Sequence, residues 1–161
     1  MNSAAQSRPH SMSFRKKPSP MPADFRYTWR IGVVALILSE GSRGATTSMP
    51  RFHILAWAIR DSARRNLLVS ALSSGLAQPF VPRYESAWTR AVAYAFAENL
   101  VNIRVLSDGG SRLTLTDAGW AFANDLEKAG VLREETKFLR SIKSRATEGR
   151  IRALAASGGS E

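Results

Sequence analysis

The residues that could perform chemistry in this chain are few and widely spaced. His10 lies in a Ser- and Pro-rich N-terminal segment, and His53 stands alone in an apolar stretch that favours a packed histidine over a ligand. Asp125 and Glu127 are two positions apart, so a helix would point them in different directions. The glycines at 41 and 44 lack the lysine and hydroxyl of a phosphate-binding loop. We therefore predict a non-enzyme with no cofactor and no metal.

Arginine is the residue type whose abundance suggests a binding function. The chain has 23 Lys and Arg against 13 Asp and Glu, a formal net charge of +10. Basic side chains neutralise phosphates and release their counterions, so a polyanionic partner is indicated. The candidates for phosphate contacts with DNA are Arg83, Arg90, Arg104 and Arg112. The alternative is a basic protein whose arginines are only solvated.

Composition also limits the compartment. Cysteine is absent, which excludes disulfides, thiolate metal sites and cysteine nucleophiles and suits the reducing cytosol. The longest apolar run, Ile31–Leu38, is shorter than the ~20 residues that cross a bilayer. The N-terminal segment lacks the apolar stretch of a secretory signal, while its Arg and Ser content leaves a transit peptide as an alternative. We expect a cytoplasmic protein with no membrane partner.

Four segments can be distinguished along the 161 residues. Residues 1–24 contain four prolines among basic side chains and predict a flexible basic arm. Residues 25–130 contain the elements of one domain, residues 131–156 predict a C-terminal amphipathic helical tail, and residues 157–161 a disordered end. The apolar stripe of the tail needs a cover, which can be its own domain, a second copy or a larger partner.

The elements before the centre of the chain are predicted to be helical. The apolar segment Tyr27–Glu40 favours a buried first helix. Ser48 can cap a second helix that has Pro50 in its first turn, and Asp61 can cap a third. An irregular connection, Ser74–Arg83, follows them.

The segment from Ser86 to Ala129 defines the expected fold. Ser86 is expected to cap a helix over Ala87–Leu100. Two short strands follow, Val101–Leu106 and Ser111–Leu115, joined by a Gly-containing turn, and then Thr116 caps a last helix in which Gly119 permits close packing. This order predicts a mainly α chain with a small β-hairpin, in a winged helix-turn-helix-like domain. The phrase "LTLTDAG" resembles the step from the wing into the final helix of such proteins. Another α+β domain with one hairpin is the alternative.

The helix before the hairpin is unusually apolar for one that reads DNA bases. A helix that enters the major groove needs several polar side chains at base edges. This one has alanines and aromatic residues at its centre, which favours docking on a protein, with DNA contacted through phosphates. The residues expected at the partner interface are Trp88, Tyr94, Phe96 and Phe138.

The order of segments also resembles a known family. The stretches "SMPRFHILAWAIRDSARRNLLVSAL", "YESAWTRAVAYAFAENLV" and "REETKFLRSIKSRATEGRI", together with the hairpin and "LTLTDAGWAFANDL", look like the middle component of bacterial three-component ABC-ATPase systems and the small subunit of Lamassu-type antiphage defence complexes. The resemblance implies a non-catalytic accessory subunit beside an SMC-like ABC ATPase and a nuclease-type effector, acting on double-stranded DNA. A dimeric winged-helix transcription regulator is the alternative.

Overall fold

The computed structural model describes residues 26–74 and 84–157. The predicted arm at residues 1–24 lies outside the described residues. The predicted connection after Ser74, including Arg83, also lies outside them. Ser157, the first residue of the predicted disordered end, is the last residue of a helix, and the rest of that end lies outside the described residues.

These ranges contain seven helices and a small antiparallel sheet of three strands. The helices are α1 (Tyr27–Ser39), α2 (Met49–Ala58), α3 (Ser62–Ser74), α4 (Ser86–Ala97), α5 (Asp117–Lys128), α6 (Arg133–Ile142) and α7 (Glu148–Ser157). The strands are β1 (Thr46–Ser48), β2 (Val101–Val105) and β3 (Ser111–Leu115), in the order β1-β3-β2. The predicted mainly α chain with a β-hairpin is thus confirmed, and β1 adds a strand that the sequence analysis missed.

Side-chain caps begin three of the helices at the predicted places. Asp61 Oδ1 accepts a hydrogen bond from Arg64 N at 2.8 Å at the start of α3. Ser48 Oγ accepts a hydrogen bond from Arg51 N at 3.3 Å at the start of α2. Thr116 Oγ1 accepts one from Gly119 N at 3.0 Å at the start of α5. Such caps satisfy N–H groups that have no partner within the helix. Each cap therefore stabilises the start of its helix through residues close in the sequence.

The predicted cap of α4 is wrong. Ser86 is the first helical residue, Glu85 occupies the N-cap position, and no side chain caps this helix. The helix also ends at Ala97, before the predicted end at Leu100, because Asn99 adopts a left-handed backbone with φ 57°. This early exit lets β2 begin directly at the edge of the core.

One hydrophobic core joins the first helix to the last. Val33, Ile37 and Leu38 of α1 are completely buried, and α1 packs against α2, α4, α5 and α6. Residues 131–156 are two helices rather than one, and they contribute apolar side chains to this same core: Phe138, Leu139, Ile142, Ile151 and Leu154. The predicted tail is therefore covered by its own domain. None of the helices in the described ranges is long and apolar enough to cross a membrane.

The sheet has an apolar and a polar face because its strands pair in a fixed register. Val101 lies opposite Leu115 and Ile103 opposite Leu113, and alternation points these side chains to the core. The other face carries only polar side chains, and we call it the polar sheet face: Thr46, Ser48, Asn102, Arg104, Arg112 and Thr114. Two of the four predicted DNA-contacting arginines therefore share one surface.

Candidate nucleic-acid interface

The polar sheet face presents two arginines side by side. Arg104 of β2 is the direct cross-strand partner of Arg112 of β3, and Ser48 of β1 lies on the other side of Arg112. Next to this row, Thr46 Oγ1 and Thr114 Oγ1 are hydrogen-bonded at 3.2 Å. The short strands thus hold a row of cations and hydroxyl groups on one surface.

The Arg104–Arg112 pair places two positive charges directly opposite each other, which a contact that only stabilised the fold would avoid. Directly opposite side chains in an antiparallel pair have Cβ atoms about 5 Å apart, and like charges there are destabilising. Both arginines are exposed, and within residues 26–74 and 84–157 neither forms an ion pair with a carboxylate. An anion placed between them would relieve this repulsion, so the pair suits a phosphate oxygen.

Two cavities flank Arg112, and the first of them extends the basic surface. The first has a volume of about 260 Å³ and is lined by Arg43, Thr46, Arg51, Arg112, Lys143, Thr147 and Glu148. The second, of about 620 Å³, lies between the tip of the hairpin and α7, and its charged lining is Arg112 and Arg152 with Asp108 and Glu148. Sequence reasoning missed Arg43, Lys143 and Arg152 as neighbours of Arg112, because no local pattern connects these segments.

A buried arginine fixes β1 beneath this surface. Arg51 is 4% exposed, and burial lowers its pKa, while the charge of Glu148 opposes that shift. Its guanidinium donates four hydrogen bonds, to the oxygens of Gly41, Ser42, Thr47 and Ala146. Because these oxygens come from the end of α1, from β1 and from the turn before α7, one side chain connects three parts of the chain.

Glu148 connects the first turn of α7 to β1. Its Oε1 accepts hydrogen bonds from Ser48 N at 2.9 Å and Thr47 Oγ1 at 3.3 Å, and its Oε2 accepts one from Ser48 Oγ at 2.6 Å. Burial acts to raise the pKa of Glu148, but the bonds from Ser48, the charge of Arg51 and the bond from Thr47 together lower it. The carboxylate thus bonds within the fold and forms no ion pair with Arg112, although the two residues line the same cavities.

The other two predicted DNA-contacting arginines do not join this pair. Arg90 is exposed on α4 and lines neither cavity. Arg83 lies outside the described residues. The structure therefore brings together Arg104 and Arg112 of the four.

Two residues expected at a partner interface are instead packed inside the chain. Trp88 is 1% exposed, and Arg30 lies over its indole with the guanidinium carbon 4.6 Å from the ring centroid. Phe138 is 8% exposed and belongs to the same core. The prediction of a partner-facing surface for these two side chains is corrected, because α1 and the rest of the domain cover them.

The other two expected interface residues, Tyr94 and Phe96, are about half exposed on α4. The Tyr94 ring packs edge-on against that of Tyr27, with centroids 5.3 Å apart, and Tyr27 is itself 47% exposed. We call these three residues the α4 aromatic surface. Aromatic side chains bury large areas when a partner covers them, so this surface suits protein docking.

The structure offers no metal centre in the ranges that it describes. No group of three or more His, Cys, Asp or Glu residues is suitably placed there. His53 is buried, its ring packs against those of Phe52 and Tyr84, and burial lowers its pKa.

No family model, curated protein or solved structure matches the chain.

Proposed function

We propose that this chain is a non-catalytic winged-helix subunit that contacts the phosphate backbone of double-stranded DNA through its polar sheet face. The observation that carries the proposal is the exposed cross-strand pair of Arg104 and Arg112. Arginine is well suited to phosphate oxygens because its planar guanidinium donates two parallel hydrogen bonds. Neighbouring Arg43 and Lys143 would extend the contact along the backbone.

The element order supports a winged helix. A strand follows the first helix, further helices precede a hairpin, and a helix follows it. Four of the five β2 residues are exposed, as expected for a hairpin that projects from the core. Contacts from such a projection to phosphates would fix the position of the protein on a duplex without reading its sequence.

The surface of α4 argues against the alternative of a sequence-specific transcription regulator. The exposed polar residues in the helix, Ser86, Thr89 and Arg90, lie near its start, whereas Tyr94 and Phe96 occupy its second half. Bidentate recognition of a base edge needs Arg, Lys, Asn or Gln side chains along the helix. We therefore expect binding to DNA with little sequence preference.

The α4 aromatic surface supports the second half of the proposal, which is docking on a larger assembly. Tyr94 and Phe96 would be covered by an SMC-like ABC ATPase, the partner implied by the resemblance of this sequence to the small subunit of antiphage defence complexes. In that setting the chain would help the ATPase engage double-stranded DNA and control a nuclease-type effector. It would do so without catalysis, cofactor or metal of its own.

The DNA-binding part is tested by changing the arginine pair. We expect Arg104→Ala/Arg112→Ala to weaken binding to duplexes of unrelated sequence and to reduce the slope of log K against log salt by about 2, because about one unit is lost per phosphate contact. The matched control is Lys128→Ala/Lys137→Ala, which removes two charges from α5 and α6, where the side chains are 78% and 75% exposed. Equal salt slopes for the two double variants would refute the proposed contact.

The docking part is tested by affinity purification from the native host. We expect an SMC-like ATPase, identified by mass spectrometry, with the wild type and with Phe138→Leu, but not with Tyr94→Ala/Phe96→Ala. Recovery of no such ATPase would contradict the subunit assignment. Tight binding of the purified chain to a single operator, resistant to competing random DNA, would instead establish the transcription regulator.

A further inference from the structure

We propose that two copies of this chain associate through the outer edge of β2, paired as antiparallel strands about a two-fold axis at Ile103. The order β1-β3-β2 leaves β2 at the edge of the sheet, and no described strand covers its outer side. Exposed edges present unpaired N–H and C=O groups to another strand.

Hydrogen bonds at the two ends of the hairpin determine which β2 residues face outward. Leu106 N donates to Gly110 O at 2.8 Å, and Thr116 N donates to Leu100 O at 3.0 Å. Hydrogen-bonded pairs alternate along an antiparallel ladder, so the even-numbered β2 residues bond to β3. The odd-numbered ones direct their backbone groups to the outer edge: Val101, Ile103 and Val105.

The same odd positions also carry apolar side chains that the core covers only in part. Val101 is 1% exposed, but Ile103 is 36% and Val105 is 72% exposed. Uncovered apolar surface increases toward the tip of the hairpin, on the face that continues the core. A strand added at this edge would satisfy the outward backbone groups and cover these two side chains together.

The sequence of β2 is complementary to itself. In an antiparallel pair centred on Ile103, each Ile103 faces its copy, Val101 faces Val105, and Asn102 faces Arg104. Every outward-directed residue then meets another outward-directed residue, as the ladder requires. No like charges lie directly opposite one another, which is the arrangement that destabilises a cross-strand pair. This symmetric arrangement of residue types about Ile103 favours a second copy of the chain over an unrelated strand.

The resulting dimer would continue the polar sheet face across the two-fold axis. The Arg104–Arg112 pair would then be repeated on one sheet, which doubles the cationic row available to a partner. A five-residue strand makes a smaller contact than the ~1,600 Å² of a standard interface, so we expect a dimer that dissociates on dilution. Association through β2 does not depend on whether the face binds DNA.

Cysteine cross-linking of the full chain tests both the dimer and its register. The chain has no cysteine of its own. In the proposed pair the two Ile103 Cα atoms are about 5.5 Å apart, within disulfide range, so Ile103→Cys should form a covalent dimer on mild oxidation. Val105→Cys is the matched control, because its two copies would be about 14 Å apart. Val105 is the more exposed residue, so cross-linking of Val105→Cys at least as fast as Ile103→Cys would overturn the proposal.

Sedimentation over a concentration series supplies the second measurement. The control is Val131→Lys, which changes an exposed apolar residue between α5 and α6. We expect the wild type and this control to dimerise with rising concentration, and Ile103→Lys to stay monomeric because it opposes two ammonium groups. Val105→Pro should also stay monomeric, since it removes only an outward N–H and leaves the β2–β3 bonds intact. Monomeric wild type throughout the series, or unchanged dimerisation of both β2 variants, would overturn the proposal.

Discussion

Gly119 offers the sharpest test of how the hairpin is seated on the helices. It lies in the first turn of α5, where the Thr116 side chain caps the helix. A Cβ at this position would overlap the carbonyl oxygen of Leu100, and it would lie 2.6 Å from Leu115 Cδ1. One of these two contacts is with backbone, so the overlap cannot be relieved by a change of rotamer. We therefore expect Gly119→Ala to push α5 away from the base of the hairpin.

The expected loss of stability follows from three contributions. Alanine in a helix is better than glycine by up to about 1 kcal/mol. Overpacking costs about 1–3 kcal/mol, and a displaced Leu100 carbonyl weakens the bond that it accepts from Thr116 N, worth about 1 kcal/mol. The net is a loss of about 2 kcal/mol, which for a chain of this size lowers Tm by about 4–8 °C.

Urea denaturation followed by tryptophan fluorescence measures this loss. The matched control is Gly149→Ala in α7, where a Cβ would meet nothing within 4 Å; it should be neutral or stabilise by about 0.5 kcal/mol. If Gly119→Ala proves as stable as Gly149→Ala, the close approach of α5 to the hairpin is wrong.

Two carboxylates give further predictions. The lowered pKa of Glu148 means that its stabilising contribution is present above the ordinary value of about 4.5 and is lost as the pH falls through the folded value. Glu148→Gln should therefore be less stable than the wild type in urea at pH 7, and the gap should narrow at pH 3; a constant gap would contradict the linkage. Glu85 contacts Arg60 and lies 3.6 Å from Arg30, whose side chain is 5% exposed. Glu85→Ala should cost about 3 kcal/mol because it leaves a buried cation unopposed, whereas Glu134→Ala on the surface should change little, and equal effects would refute this reasoning.

Short-range chemistry made the hairpin and its flanking helix predictable. Gly109 adopts φ +80° in the turn, as the glycine pair in the sequence indicated, and Thr116 caps α5. The predicted closeness at Gly119 is also confirmed. The turn and the cap depend on residues within a few positions of one another, which is the range over which sequence patterns carry information. The closeness at Gly119 joins it to Leu100, 19 positions earlier, and was predictable because the hairpin between them is itself a local element.

The bounds of α4 were missed for a local reason, the backbone at Glu85 and Asn99, but β1 and its contacts depend on distant residues. β1 is only three residues long and forms by pairing with β3, far along the chain. The bond between Ser48 Oγ and Glu148 joins residues 100 positions apart. Periodicity likewise marked Trp88 and Phe138 as apolar-face residues, but it does not say whether the chain itself or a partner covers that face.

The net charge of +10 is a poor measure of the cationic surface that a partner meets. Arg30 and Arg51 are both 4% exposed, and their guanidinium groups stack on Trp88 or bond to backbone and hydroxyl oxygens within the fold. Their removal would weaken any binding through loss of structure. Arg104 and Arg112 are exposed and contribute to no ion pair in the described ranges. DNA affinity should therefore depend on where an arginine lies and not on the total charge. Variants that lose the same charge at the sheet and elsewhere must differ in DNA affinity.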